Sequence, residues 1–89
     1  MNICLAGAGA FGVKHLEALA KIDGVRVVSL IGRTLDATAE VARRFGVAQV
    51  STELGDALAR SDVDAVILAT PTQLHASQAV ACLEAGKHV

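Results

Sequence analysis

Short, nearly continuous apolar runs alternate along this chain with longer stretches whose apolar residues recur every three or four positions. "NICLA" (2–6), "VRVVSLI" (25–31), "VAQV" (47–50) and "DAVILAT" (64–70) are the apolar runs. Their length and β-branched content predict strands buried on both faces. The helical pattern predicts Phe11–Ile22, with Val13, Leu16, Leu19 and Ala20 on one face. It also predicts Leu35–Phe45, Glu53–Arg60 and Leu74–Ala85. Asp23-Gly24, Gly46 and Gly86 punctuate helix ends, and Ser51 or Thr52 is expected to cap the third helix. Pro71-Thr72 reads as a turn, and His88-Val89 as the first step of another strand.

The resulting order is β-α-β-α-β-α-β-α-(β). Strict alternation with short connections predicts a Rossmann-type, doubly wound parallel sheet with helices on both faces. The 89 residues form one domain, 53% hydrophobic with a mean hydropathy of +0.50. That excess in so small a chain predicts surfaces covered by further protein. We therefore expect an incomplete Rossmann-type domain, residues 1–89, forming the N-terminal part of a larger two-domain protein. At full length a homo-oligomer acting on a small-molecule substrate is expected.

Charge narrows the partners. The net charge is −1 and the pI about 6.2, so no basic field is available for nucleic acid or an anionic membrane. Two Phe are the only aromatic residues, which removes stacking platforms for bases. No basic n-region or membrane-length apolar run is present, and the expected compartment is the cytoplasm. Cys4 and Cys82 lack CxxC spacing and are read as two reduced core thiols, with a disulfide or redox pair as the alternative. No residue is assigned to a metal.

Gly7-Ala8-Gly9-Ala10-Phe11-Gly12 carries the chemistry. It follows a predicted strand and opens a predicted helix, the context that gives GxGxxG its meaning. Gly7 lets the chain turn out of the strand, Gly9 lets backbone approach a pyrophosphate, and Gly12 lets helix and strand pack closely. Free N–H groups and the helix dipole then face the phosphates. A bare βα turn without ligand is the alternative. NAD-binding versions carry Asp or Glu at the end of the second strand. Here that segment reads Gly32-Arg33-Thr34. A carboxylate would repel a 2′-phosphate by roughly 4 kcal/mol per charge pair at ~4 Å and an effective dielectric near 20. Gly32 is expected to remove that repulsion and leave space. Arg33 offers a charge-assisted contact of about 1.5–3 kcal/mol, and Thr34 a hydroxyl. The expected cofactor is NADP, with NAD as the alternative. A solvated Arg33 and a purely capping Thr34 remain the bland reading.

Ala69-Thr70-Pro71 leaves the carboxyl end of the fourth strand, where open α/β sheets bind ligands, and Leu74-His75 starts the next helix at the same edge. His75 is equally readable as a capping residue. His15 reads as a surface residue, and His88 has no evident partner.

Together, Gly7 to Gly12, Val63-Asp64-Ala65-Val66, Ala69-Thr70-Pro71, His75 and Glu84 to Val89 resemble the Gfo/Idh/MocA oxidoreductases, which include glucose–fructose oxidoreductase and inositol dehydrogenase. The resemblance spans essentially the whole chain. It implies a dinucleotide lined by Gly7, Gly9, Ala10, Phe11, Gly12 and by segment 69–75, with Thr70, Pro71 and His75 near the nicotinamide. It also implies a dehydrogenase whose supporting Lys lies beyond Val89, so no catalytic acid or base is assigned. A non-catalytic NADPH-binding redox sensor and a SAM-dependent methyltransferase are the rival readings. The second also wants an acid after strand two, which Gly32 denies it.

Overall fold

Strand β1 (Asn2–Ala6) lies inside a four-stranded sheet, paired in parallel with β2 (Arg26–Ile31) on one side and β4 (Ala65–Leu68) on the other. The short β3 (Gln49–Ser51) extends the sheet beyond β2, giving the order β3-β2-β1-β4. This is a computed structural model and it describes all residues 1–89. The chain winds outward from β1 through β2 to β3, then returns to the far side of β1 for β4. The β1/β4 boundary is therefore the topological switch point, where open parallel sheets form a crevice.

The helices are α1 (Ala10–Leu19), α2 (Leu35–Phe45), α3 (Leu54–Leu58) and α4 (His75–Glu84). Two hydrophobic clusters cover opposite faces of the sheet, as a doubly wound fold requires. Leu16 of α1 and Ala42 of α2 pack with Leu5, Leu30 and Val47. Ala57 of α3 and Cys82 of α4 pack with Cys4, Ala6, Val28, Ile31, Val63 and Val66. A register shift between Ile3 and Cys4 places an extra residue in β2, so Val28 and Ile31 share a cluster although three residues apart. Both cysteines are free and fully buried.

The element boundaries differ from the sequence expectation where backbone hydrogen bonds are diverted into caps. Helix α1 ends at Leu19 because Lys21 and Ile22 donate to Ala18 and Leu19, tightening the last turn. Val47 does not open β3: its N–H donates to the Ala42 carbonyl at 2.9 Å, closing a cap around left-handed Gly46 (φ 70°). Neither Ser51 nor Thr52 caps α3: the residue before the helix is Glu53, without a side-chain cap bond. The Ser51 hydroxyl at the end of β3 accepts from the Glu53 N–H at 3.0 Å and donates to the Asp56 carboxylate, tying the strand to the helix instead. A 3-10 turn, Thr72–Leu74, precedes α4 and delays its start to His75. At the chain end His88 pairs in parallel with Ala65, donating to the Asp64 carbonyl at 3.2 Å and accepting from Val66 N–H at 2.8 Å.

Candidate functional site

Where the strands end, three hydrogen bonds continue past the ladder and knit the loops together. Gly7 N–H donates to the Ile31 carbonyl at 2.7 Å, Ala69 N–H to Ala6 at 2.7 Å, and Gly32 N–H to Ser51 at 3.1 Å. Above them opens a cleft of about 700 Å³. Gly7, Ala8 and Gly9 line it from β1, and Ile31, Gly32, Arg33 and Thr34 from β2. Thr52 lines it after β3, and Ala69, Thr70, Pro71 and Leu74 after β4. Its volume falls within the range of small-molecule sites.

The three glycines of the loop do different work. Gly7 has φ 119°, and a Cβ there would lie 2.5 Å from the Ala69 carbonyl oxygen, so the turn needs glycine both for conformation and for space. A Cβ on Gly12 would overlap the carbonyl oxygen of Gly7, so the helix packs on the turn itself rather than on the strand. Gly9 meets nothing within 4 Å, and its missing side chain leaves open space beside the cleft. Gly9 is also the residue before α1, with no side chain capping the helix. No protein group accepts a bond from the amides of Ala10, Phe11 or Gly12. An uncapped helix start beside an open, Cβ-free approach fits a pyrophosphate.

At the end of β2 the geometry corrects one expectation. Gly32 does not leave space on its Cβ side. That volume is filled by Thr38 of α2, whose hydroxyl a Cβ at position 32 would overlap. Arg33 is exposed at the cleft and forms no ion pair; the domain's ion pair is Arg60–Asp62, at 2.6 Å. Thr34 occupies the residue before α2 without a side-chain cap bond, which leaves its hydroxyl uncommitted.

Across the cleft, the Thr70 hydroxyl donates to Gln78 Oε1 at 2.5 Å. His75 does not line the cleft. Its Nε2–H donates to the Thr70 carbonyl at 2.7 Å, so the ring ties the start of α4 to the end of β4. The residues Ala10, Phe11 and Gly12 also lie outside the lining, and Phe11 is 74% exposed. His15 donates to the Phe11 carbonyl at 2.7 Å on the helix surface. Lining residues outside the segments expected from the sequence are Ile31, Ala37, Thr38, Thr52 and Gln78. Thr52 was findable, since it follows a strand at the ligand-binding edge. Thr38 gave no signal, because a helix position four residues after a cap is not marked by any motif.

A parallel sheet, a GxGxxG turn, an uncapped helix start and a cleft at the switch point together define a Rossmann-type nucleotide-binding domain. The family model of the Gfo/Idh/MocA oxidoreductases, described as an oxidoreductase family with an NAD-binding Rossmann fold, matches residues 1–89. The chain belongs to that family. It is 62% identical, over its whole length, to 4-carboxy-2-hydroxymuconate-6-semialdehyde dehydrogenase of Sphingobium sp., and spans 28% of that protein. Among solved structures, GenD2 of gentamicin A biosynthesis in complex with NAD superposes with a TM-score of 0.91. It is 31% identical, over 98% of this chain and 25% of that one. Biliverdin reductase of Synechocystis sp., in complex with biliverdin and NADP+, gives a TM-score of 0.88 at 31% identity, over 99% of this chain and 28% of that one. The fold thus holds a nicotinamide dinucleotide in relatives of both cofactor types. No helix is long and apolar enough to cross a membrane.

Proposed function

We propose that residues 1–89 are the cofactor-binding part of a longer, NADP-dependent dehydrogenase. Its substrate is a carboxylated hydroxymuconate semialdehyde, oxidised as its cyclic hemiacetal to 2-pyrone-4,6-dicarboxylate. The 62% identity to a dehydrogenase named for that semialdehyde supports this substrate. The cofactor choice rests on one observation. At the end of β2 the acidic position is a glycine closed to any side chain, and the next residue is an arginine without a carboxylate partner.

When bound, NADP supplies a nicotinamide that accepts a hydride. The chain's own residues bind and orient it. Gly7 and Gly9 allow the close approach, and the first-turn amides of α1 bond the pyrophosphate. Arg33 and Thr34 take the 2′-phosphate, which NAD lacks. Ala69, Thr70, Pro71 and Leu74 wall the opposite side, where Gln78 fixes the Thr70 hydroxyl and His75 fixes its carbonyl.

The test is a titration of the full-length protein with NADPH and NADH, followed by nicotinamide fluorescence, with turnover of the semialdehyde measured alongside. NADPH is expected to bind more tightly. Arg33→Ala is expected to weaken NADPH about 10- to 100-fold and NADH little. Equal affinities in the unaltered protein, or equal weakening in the variant, would overturn the cofactor reading.

A further inference from the structure

Gly32 is a glycine that its own backbone does not require. The left-handed glycines are Gly7, Gly24, Gly46 and Gly86, and Gly32 is not among them. Its conformation is open to any L-residue, so a side-chain contact must decide what stands there. Thr38 makes that contact. An ideal Cβ at position 32 would overlap the Thr38 hydroxyl oxygen and lie 3.0 Å from Thr38 Cβ and 3.1 Å from Cγ2.

Neither partner is free to yield. The Thr38 side chain is 1% exposed and its hydroxyl donates to the Thr34 carbonyl at 2.6 Å. The same carbonyl accepts the Thr38 amide at 3.1 Å, so two bonds hold this residue to the turn that follows Gly32. On the other side, Gly32 N–H is bonded to the Ser51 carbonyl of β3. Position 32 is thus pinned between an edge strand and a buried threonine.

From this geometry we infer that Thr38 is a specificity-determining residue. By occupying the Cβ volume of position 32, it excludes the carboxylate that would accept an NAD ribose diol. By bonding Thr34 O, it also holds the Arg33–Thr34 turn at the cleft. The inference rests on the NADP reading above for which cofactor this favours. The steric exclusion itself does not depend on that reading. Cofactor choice is then a property of the pair Gly32 and Thr38, and an acid introduced at position 32 alone cannot be accommodated.

The experiment uses the full-length protein with Gly32→Asp, Thr38→Ala and Thr38→Gly, the two double variants, and Gly32→Asp/Thr38→Val. Two quantities are read: Tm without nucleotide, and the ratio of NADPH to NADH affinity. Gly32→Asp alone is expected to lower Tm by several degrees and to weaken both nucleotides. Thr38→Ala alone is expected to keep the NADPH preference. Adding Thr38→Ala or Thr38→Gly to Gly32→Asp should recover Tm and move the affinity ratio toward NADH by about tenfold or more. Thr38→Val keeps both γ branches and should not rescue. Three results would overturn the inference: Gly32→Asp alone with unaltered Tm and a shifted ratio, double variants no more stable than Gly32→Asp, or rescued stability without a shift. Equal NADPH and NADH affinity in the unaltered protein would instead overturn the NADP reading, while the Tm comparison still decides whether Thr38 closes position 32.

Discussion

Gly12 faces the Gly7 carbonyl across the loop, and a single methyl group there has no room. Gly12→Ala should cost about 1–3 kcal/mol of stability, the usual toll of forcing atoms into a filled space, read as a lower urea midpoint. Gly9→Ala should cost far less, because nothing lies within 4 Å, yet it should weaken nucleotide binding by filling the approach. A comparable loss of stability in both would show that Gly9 is held by packing rather than kept open for a ligand. Cys4 tests burial in another way. Loss of water pushes its thiol from the usual 9.0 up to about 11, with the Ser29 side chain partly opposing. Because the folded value is the higher one, folding favours the protonated thiol. Its contribution is complete below pH 9 and declines as pH rises toward about 11. Stability of the native protein should therefore fall across that interval, and Cys4→Ala should flatten the fall in urea titrations at each pH.

Helix α2 shows how far an element can be read before folding. Its bounds, Leu35–Phe45, coincide with the periodic stretch, with Asp36 in the first turn and Arg43 and Arg44 in the last. Those charges oppose the helix dipole at each end. Gly46 closes it in the left-handed region at φ 70°, and a Cβ there would meet nothing within 4 Å, so the demand is conformational alone. Gly46→Ala should cost about 1–2 kcal/mol, measured by urea denaturation, and leave nucleotide affinity unchanged. Helix α4 was legible in extent but not in the work of its first residue. His75 was a candidate at the nicotinamide, whereas the ring bonds the Thr70 carbonyl outside the cleft lining. A histidine at a helix start can bond outward to a ligand or back to the preceding loop. The choice depends on the path of the 3-10 turn Thr72–Leu74, which local composition did not indicate.

Across the whole molecule, the order β3-β2-β1-β4 puts β1 between two partners and leaves the three-residue β3 with one. Amide hydrogen exchange should be slowest in β1, where Leu5 and Ala6 are fully buried, and fastest among the strands in β3. Protection in β3 equal to that in β1 would contradict this sheet order. The same order sets the cleft at the β1/β4 boundary and joins there three loops far apart in sequence, with Gly7, Gly32 and Ala69 at its floor.

The sequence by itself determined the alternation of elements, the parallel buried sheet, and the glycine turn that opens α1. These are local properties, set by periodicity, chain reversal and the conformational freedom of single residues. It also marked position 32 as lacking an acid and position 33 as cationic. Only the tertiary structure decided why position 32 is a glycine, because the atoms that fill its Cβ volume belong to Thr38, one helix turn into the next element. Packing brings together residues that no spacing rule relates. Which side chain stands against which backbone is settled when the helices close on the sheet.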